Sequence, residues 1–260
     1  MITIREYKRV ESLEEAWQLN QKRSNRIIGG MLWLKMSNWN VQTAIDLSDL
    51  GLDEIEEKED SFSVGCMVTL RQLETHPGLN QYTNGAMKEA LRHIVGVQFR
   101  NVATVGGSLY GRYGFSDVLT IFMAMDAQVE LYKGGLMSIS DFVKMPYNRD
   151  VLVRVIVKKI PVDYHYESVR NTDTDFPVLT CGAALTEEGL RICIGARPGR
   201  AVLLPDQEGI LKAPITEEKV EQIAAYAMEK IPTDSNMRGS AEYRSHLTWE
   251  LVKRAAEHFI

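Results

Sequence analysis

The run Gln98–Ser108, followed closely by Ser116-Asp117, restricts the fold and function of this chain more than any other stretch. At its centre, the adjacent glycines Gly106 and Gly107 stand between short hydroxyl side chains. Glycine lacks a Cβ atom, so backbone N–H groups and small hydroxyls at such a turn can approach a phosphate closely. The run therefore predicts a binding place for a pyrophosphate.

A second glycine pair, Gly29-Gly30, follows the apolar residues Ile27-Ile28. Two such turns can hold one extended dinucleotide from both sides. Each pair also has a purely structural interpretation, because Gly-Gly is common in turns that require a positive φ. Asp117 also has a purely structural interpretation, because an aspartate just before an apolar helical stripe is a good helix N-cap.

The bulk properties limit the size of the units and the kind of partner. A chain of 260 residues with 45% hydrophobic composition exceeds the roughly 250 residues at which single cores stop growing, so we expect two or three subdomains. A net charge of -5 and a pI near 5.6 argue against a nucleic-acid or anionic-membrane partner. No window approaches the roughly 20 apolar residues of a membrane span, and the first residues lack a signal-peptide core. We expect a cytoplasmic protein.

Cysteine and histidine spacing gives no metal site and no catalytic group. The three cysteines, Cys66, Cys181 and Cys193, lie far apart in apolar runs without C-x-x-C spacing, which argues against zinc or an iron–sulfur cluster on this chain. The five histidines show no ligand spacing, and G-x-G-x-x-G, P-loop, H-E-x-x-H and G-x-S-x-G motifs are absent. We predict no catalytic residue and no bound metal.

The hydrophobic pattern divides the chain into three units, which we place at residues 1–55, 56–160 and 161–260. The first unit is a small α/β fold, with a helix from Ser12 to about Lys22 and strands at Arg26–Ile28 and Ala44–Leu47. Its Gly29-Gly30 turn lies where a strand ends, the position that ligand sites favour in such units.

The second unit is also α/β. Its pattern predicts a strand over Phe62–Val68, a helix over Asn84–Val95 that ends at a Gly96 cap, and a helix over Asp117–Met125. A strand over Gln128–Tyr132 enters a hairpin turn.

The third unit is predicted to be α+β. Three sequential strands, over Val151–Ile160 at the end of the second unit and over Pro177–Leu185 and Leu190–Ala196 in the third, suggest an antiparallel meander. Helices begin near Thr216 and Ser240. A cleft between the units is the natural ligand site.

The same stretches resemble one family over nearly the whole chain and in the right order. The run Gln98–Ser108 with Ser116-Asp117 and Leu119–Leu131 is similar to the signature of the FAD-binding subunit of the xanthine dehydrogenase and carbon monoxide dehydrogenase family, also called the molybdopterin dehydrogenase FAD-binding domain. Further segments resemble that family at Ile28–Met36, Ala44–Leu47, Ser63–Leu70, Asp173–Ala184 and Gly239–Leu247.

The resemblance implies an α+β fold of the FAD-binding PCMH type, with two N-terminal α/β subdomains and a C-terminal antiparallel sheet with helices. FAD would lie between the first two subdomains, and its isoalloxazine ring would reach the third. By position, Asp117 matches a carboxylate at the flavin side, and Leu152 would pack on the ring. The residues expected along the pyrophosphate and ribityl chain are Ile28, Gly29, Gly30, Met31, Leu32 and Trp33, with Ala103, Thr104, Gly106, Gly107 and Ser108 forming the second phosphate turn.

The resemblance also implies a place in a complex. A molybdopterin subunit would oxidise the substrate, electrons would cross [2Fe-2S] clusters on a small partner subunit, and FAD here would pass them to NAD+ or another acceptor. Two alternatives remain open from the sequence, a cofactor-poor structural subunit of such a complex and a stand-alone flavin oxidoreductase.

Three departures from the family pattern bear on flavin binding. Met31 stands where the family usually has threonine, and Trp33 replaces a smaller aliphatic residue. Glu167 lies where the family often has a cation, so a cation near the reduced flavin would have to come from Arg170.

Overall fold

Three separate β-sheets organise the chain, and each collects its strands from one stretch of sequence. The computed structural model describes residues 1–260. The strands are β1 (Thr3–Arg9), β2 (Arg26–Ile28), β3 (Asn40–Asp46), β4 (Ile55–Glu57), β5 (Ser61–Gly65), β6 (Gln128–Leu131), β7 (Gly135–Ser138), β8 (Leu152–Lys158), β9 (Asp163–Arg170), β10 (Pro177–Thr186), β11 (Gly189–Gly195) and β12 (Val202–Leu203). The helices are α1 (Leu13–Asn20), α2 (Leu70–Thr75), α3 (Pro77–Tyr82), α4 (Ala86–Arg92), α5 (Val97–Arg100), α6 (Val105–Tyr110), α7 (Asp117–Ala124), α8 (Ile139–Lys144), α9 (Glu217–Lys230) and α10 (Ala241–His258).

The N-terminal sheet is parallel, with the strand order β1-β3-β2. Its central strand β3 buries Val41, Ala44 and Ile45, and α1 begins at Ser12, whose hydroxyl accepts from the Glu15 N–H. The predicted strand β2 is confirmed and runs directly into Gly29-Gly30. The edge strand β1 was not predicted, because most of its side chains are exposed and polar and give no apolar signal.

The middle sheet has five strands in the order β4-β5-β8-β6-β7, and all its pairings are antiparallel. Strand β8 is central and buries Val153, Val155 and Val157. The prediction that this strand opens the C-terminal meander is wrong, because β8 pairs with β5 and β6. Apolar runs establish that a buried strand exists but not which strands lie beside it.

The C-terminal sheet is an antiparallel meander in the order β12-β11-β10-β9. Strand β9 was missed between two predicted strands because its Tyr164 and Tyr166 are buried among charged neighbours. Helices α9 and α10 share an apolar core with this sheet. Buried α7 lies against its other face, where a hydrogen bond of 3.0 Å joins the Thr120 and Thr180 hydroxyls.

Two predicted details of the middle unit differ from the structure. Helix α4 ends at Arg92, and Gly96, predicted to cap its C-terminus, instead precedes α5 with an extended φ of -140°. The left-handed residue in this turn is Val95, at φ 51°. The run Gln98–Ser108, for which we predicted a glycine turn, includes most of the short helices α5 and α6. No helix combines the length and the apolar composition that crossing a membrane requires.

Candidate functional site

A cleft of about 680 Å³ lies where the three sheets meet, and segments from all three line it. The N-terminal sheet contributes the segment after β2, the middle sheet contributes α6 and the start of β8, and the C-terminal sheet contributes the β9–β10 connection. The cleft brings together every predicted site residue: Ile28, Gly29, Gly30, Met31, Leu32, Trp33, Ala103, Thr104, Gly106, Gly107, Ser108, Asp117 and Leu152.

The two glycine turns touch each other in this cleft, although they are more than 70 residues apart in sequence. A Cβ atom on Gly29 would lie 2.6 Å from the Thr104 hydroxyl oxygen, and one on Gly30 would lie 2.0 Å from the Val102 carbonyl oxygen. Backbone cannot approach backbone this closely if a side chain intervenes. Gly29 and Gly30 are therefore required for the two turns to meet.

The turn at Gly106-Gly107 does not offer the row of free donors that we predicted from its glycines. The N–H groups of Val105 and Gly106 donate to the Val68 and Cys66 carbonyls, each at 2.8 Å. The Gly107 N–H donates to the Thr104 hydroxyl at 3.2 Å, since Thr104 is the N-cap of α6. What Gly107 offers is space, because a Cβ there would meet only the Thr104 hydroxyl, at 3.2 Å.

The free donors lie in the first turn instead. The backbone N–H groups of Gly29, Gly30, Met31 and Leu32 have no acceptor within the chain, and neither has that of Thr104. Strand β2 ends just before them, and Met31 adopts a left-handed φ of 57°. A left-handed residue in a turn is one of the arrangements that gathers successive N–H groups around an anion. This end of the cleft therefore presents several backbone donors that are free to bind an anion.

Aromatic rings from all three units line another part of the cleft. Trp33 stacks on Phe176 with ring centroids 5.6 Å apart and planes at 27°, and it lies 5.9 Å from Phe115. Phe115 in turn contacts Phe176 at 4.5 Å and stacks on Tyr113 at 5.2 Å. These rings, which we call the aromatic cluster (Trp33, Tyr113, Phe115 and Phe176), give a broad apolar wall suited to a flat ring.

A buried polar group lies beside the aromatic cluster. Asp117, only 4% exposed, accepts a hydrogen bond of 2.7 Å from the Tyr166 hydroxyl and a charge-assisted one from the Arg170 guanidinium. Burial raises the pKa of Asp117, and the ion pair with Arg170 opposes that rise. The N-cap of α7 is Ser116, whose hydroxyl accepts from the Leu119 N–H, so the cap interpretation of Asp117 is wrong.

The structure also separates the two charged candidates near the ring end. Arg170 lines the cleft, whereas Glu167 does not and pairs with Arg254 at 2.8 Å. Arg26 and Arg149 also line the cleft and were not predicted, because no motif or periodicity marks them. Phe176 lies within the segment whose family resemblance was noted, and its neighbour Pro177 begins β10.

Two family profiles together span nearly the whole chain. Residues 3–162 match the FAD binding domain in molybdopterin dehydrogenase, and residues 164–259 match the CO dehydrogenase flavoprotein C-terminal domain. The chain belongs to the molybdopterin dehydrogenase FAD-binding family. As a member of this family it is an FAD-binding subunit of an oxidoreductase, and the predicted fold is confirmed.

Relatives of this FAD-binding subunit match it from end to end. It is 26% identical to the uncharacterized protein YgfM of Escherichia coli K12 over 254 residues, covering 96% of this chain and 94% of that protein. It is 26% identical to the nicotine 6-hydroxylase medium subunit of Paenarthrobacter nicotinovorans, covering 94% and 93%. Among solved structures, a chain of quinoline 2-oxidoreductase from Pseudomonas putida 86 superposes with a TM-score of 0.86 at 24% identity, covering 98% of this chain and 96% of the other. A chain of CO dehydrogenase from Oligotropha carboxidovorans gives 0.88 at 20% identity, covering 99% and 97%.

Proposed function

We propose that this chain is the electron-transferring FAD subunit of a molybdenum hydroxylase-like complex. In this proposal a molybdopterin subunit oxidises the substrate, [2Fe-2S] clusters of a small partner subunit carry the electrons, and FAD here passes them to NAD+ or another acceptor in the cytoplasm. The names of two relatives support a multi-subunit setting, the nicotine 6-hydroxylase medium subunit and the glyceraldehyde dehydrogenase medium chain of Sulfolobus acidocaldarius.

The contact between the two glycine turns is the observation that most supports FAD binding at particular residues. It sets the unpartnered N–H groups of Gly29–Leu32 and Thr104 beside the open backbone of Gly107. A diphosphate needs several donors and close backbone approach, and this cradle offers them. The N–H groups of Gly29–Leu32 would hold the diphosphate, with Ile28, Ala103, Thr104, Gly106 and Ser108 forming its surroundings.

The ring end of the cleft supplies shape and charge. The aromatic cluster, with Leu152, would exclude water from an isoalloxazine ring. Asp117 fixes the Arg170 guanidinium, which is then the cation available to a negatively charged reduced ring. Bound FAD supplies the redox chemistry itself, so the absence of an acid–base constellation in the cleft agrees with this role.

Reconstitution of the purified chain with FAD tests the assignment. We expect the flavin absorption spectrum to persist after gel filtration, and we expect Gly107→Val to abolish it, because the added side chain has room in the protein but enters the cleft. Gly96→Val is the matched control, since its Cβ would meet only the Gln98 amide oxygen, at 3.5 Å, and Gly96 does not line the cleft.

A wild-type protein that stays colourless and shows no measurable FAD affinity would contradict the proposal. That result would favour a structural subunit that assembles the complex without a cofactor. A colourless Gly107→Val with a normal thermal transition, beside a yellow Gly96→Val, would support the cradle as the binding place.

Co-purification with mass spectrometry tests the partners. We expect the chain to be recovered from its native source with a molybdopterin-containing subunit and a [2Fe-2S] subunit. Recovery of the chain alone, with full flavin-dependent turnover, would instead support the stand-alone flavin oxidoreductase.

A further inference from the structure

The loop between α6 and α7 contains an arginine that is buried and has no hydrogen-bond acceptor. Arg112 is 2% exposed, and its Nε, Nη1 and Nη2 atoms all lack a partner within the chain. Its guanidinium carbon instead lies 4.1 Å from the ring centre of Phe142, 4.8 Å from that of Tyr147 and 5.6 Å from that of Tyr110. Its backbone is left-handed, at φ 45°. An arginine cannot shed its charge, so this is a buried cation without a counter-ion.

The groups around Arg112 do not neutralise its positive charge. No carboxylate forms an ion pair with Arg112, and a second cation, Arg200, also lies over the Tyr147 ring, with its guanidinium carbon 5.3 Å from the ring centre. Burial lowers the pKa of Arg112, and Arg200 adds to that effect. Ring faces attract a guanidinium, but they do not replace an anion in a site from which water is excluded.

Arg112 lies directly behind one wall of the cleft. Its two chain neighbours, Gly111 and Tyr113, line the cleft, and so do the Tyr110 and Tyr147 rings that cover its guanidinium. These rings are held in place by hydrogen bonds, from the Tyr147 hydroxyl to the Gly111 carbonyl at 2.6 Å and from the Tyr110 hydroxyl to the Asn148 carbonyl at 2.8 Å. A layer of aromatic rings, rather than water, separates the charge from the cleft, so its field is weakly screened.

We propose that Arg112 is a positioning residue whose positive potential strengthens the binding of an anionic dinucleotide in this cleft. The inference rests on the proposed function of the same cleft. Arg112 attracts the anionic ligand through the layer of aromatic rings without touching it. The buried cation is then compensated only when the dinucleotide is bound, so the charge destabilises the empty protein and strengthens binding of the ligand.

The test uses two ligands with the same ring system and different charge, FAD and riboflavin. In Arg112→Met we expect FAD affinity to fall about tenfold, as for the loss of a charge interaction acting through a layer of protein, while riboflavin affinity stays within about twofold. We expect the salt dependence of FAD binding to decrease as well. The melting temperature of the empty variant should equal or exceed that of the wild type, because an uncompensated charge is gone.

Arg112→Lys and Arg254→Met complete the design. Lysine keeps the charge, so Arg112→Lys should retain the wild-type ratio of FAD to riboflavin affinity even if packing lowers its stability. Arg254, which is exposed, paired with Glu250 and Glu167 and not part of the cleft lining, controls for the loss of one positive charge. If Arg112→Met does not fold, Arg112→Lys and Arg112→Gln give the same comparison of affinity ratios.

Equal effects of the neutral variant on FAD and riboflavin, or no effect on either, would overturn the inference and leave the proposed function standing. A wild-type protein that binds neither ligand would overturn the proposed function, and the role of Arg112 with it. A change in the FAD to riboflavin ratio that Arg112→Lys restores supports the inference.

Discussion

At the scale of single residues, the glycines of the cleft have different roles although they look alike in sequence. Gly30 faces the Val102 carbonyl oxygen, which a Cβ would approach to 2.0 Å, whereas Gly107 faces open space apart from one hydroxyl. The first is needed for the fold and the second for access to the cleft. A Gly-Gly pair in a sequence does not distinguish these roles, because they depend on what packs opposite.

Substitutions at Gly30 and Gly107 should therefore differ in their effect on stability. Gly30→Ala should lower the free energy of unfolding by roughly 1–3 kcal/mol, the usual cost of forcing an extra carbon into a packed site. Gly107→Ala should change it by less than about 0.5 kcal/mol. Urea denaturation of the two variants without FAD measures this, and similar losses in both would show that the turns do not meet as described.

The buried carboxylate gives a second prediction at this scale. Asp117→Asn leaves the Arg170 guanidinium buried without its anion, so we expect a loss of about 3–5 kcal/mol in the free energy of unfolding. Tyr166→Phe removes one hydrogen bond to the same oxygen and should cost only about 1 kcal/mol. Thermal or urea denaturation separates the two. Equal losses would mean that the ion pair adds nothing beyond a neutral hydrogen bond.

At the scale of elements, the sequence predicted those with a strong apolar period and missed those without one. Helices α7, α9 and α10 and strand β2 were predicted close to their observed bounds, because each shows a cap or a clear apolar run. Strands β1 and β9 were missed, because exposed and charged side chains conceal their pattern. Pairing of β8 was predicted wrongly, since it depends on contacts between residues far apart in sequence.

The contact between α1 and the end of β6 predicts how the stability of the fold depends on pH. Glu14 on α1 accepts from Lys133 Nζ at 2.6 Å and from the Tyr132 hydroxyl at 2.8 Å, at the end of β6. The Lys133 hydrogen bond, then those of Tyr132 and Gln18, lower the pKa of Glu14 to about 2. The unfolded value is about 4.3, so the stabilisation is present above that pH and is lost as pH falls towards 2.

Glu14→Gln should therefore melt at a lower temperature than the wild type at pH 7, and the gap should close between about pH 4.5 and pH 2. Calorimetric scans across this range measure the gap, with the exposed Glu59→Gln as control. A gap that stays constant with pH would show that the carboxylate charge is not what holds α1 to this hairpin.

At the scale of the whole molecule, the cleft joins three units that the sequence separates. The division at residues 1–55, 56–160 and 161–260 remains a prediction, but each of these stretches contributes residues to the cleft. A ligand there stabilises the fold by mass action, by about 2.7 kcal/mol at roughly one hundred times its dissociation constant. We expect FAD to raise the melting temperature of one shared transition.

Amide hydrogen exchange can show which segments of the chain FAD protects. FAD should slow amide exchange at the turn after β2 and at Thr174–Phe176 together, since these segments line one cleft although they are far apart in sequence. Riboflavin should protect Thr174–Phe176 more than the glycine turns, because it lacks the diphosphate. Protection limited to the N-terminal units would argue against a ring that reaches the C-terminal one.

The sequence predicted which residues line the cleft better than it predicted what each residue contributes there. Every residue carried over from the family resemblance lies in the cleft, because the resemblance spans the chain and preserves the order of its segments. It did not show that the N–H groups near Gly107 are already used, that the free donors follow Gly29, or that Trp33 stacks on Phe176. These facts depend on hydrogen bonds and ring contacts between units, which no local pattern records.

The unpartnered amides of the first turn affect which positions of the turn can tolerate substitution. Nearly every residue type has the same backbone N–H group, so a phosphate bound by the main chain depends little on which side chains the turn carries. In the proposed site the side chain of Met31 is then free to vary, whereas Gly29 and Gly30 are not, because a Cβ atom on either would meet the second turn. Saturation mutagenesis selected for flavin retention should show broad tolerance at position 31 next to near-invariance at position 30.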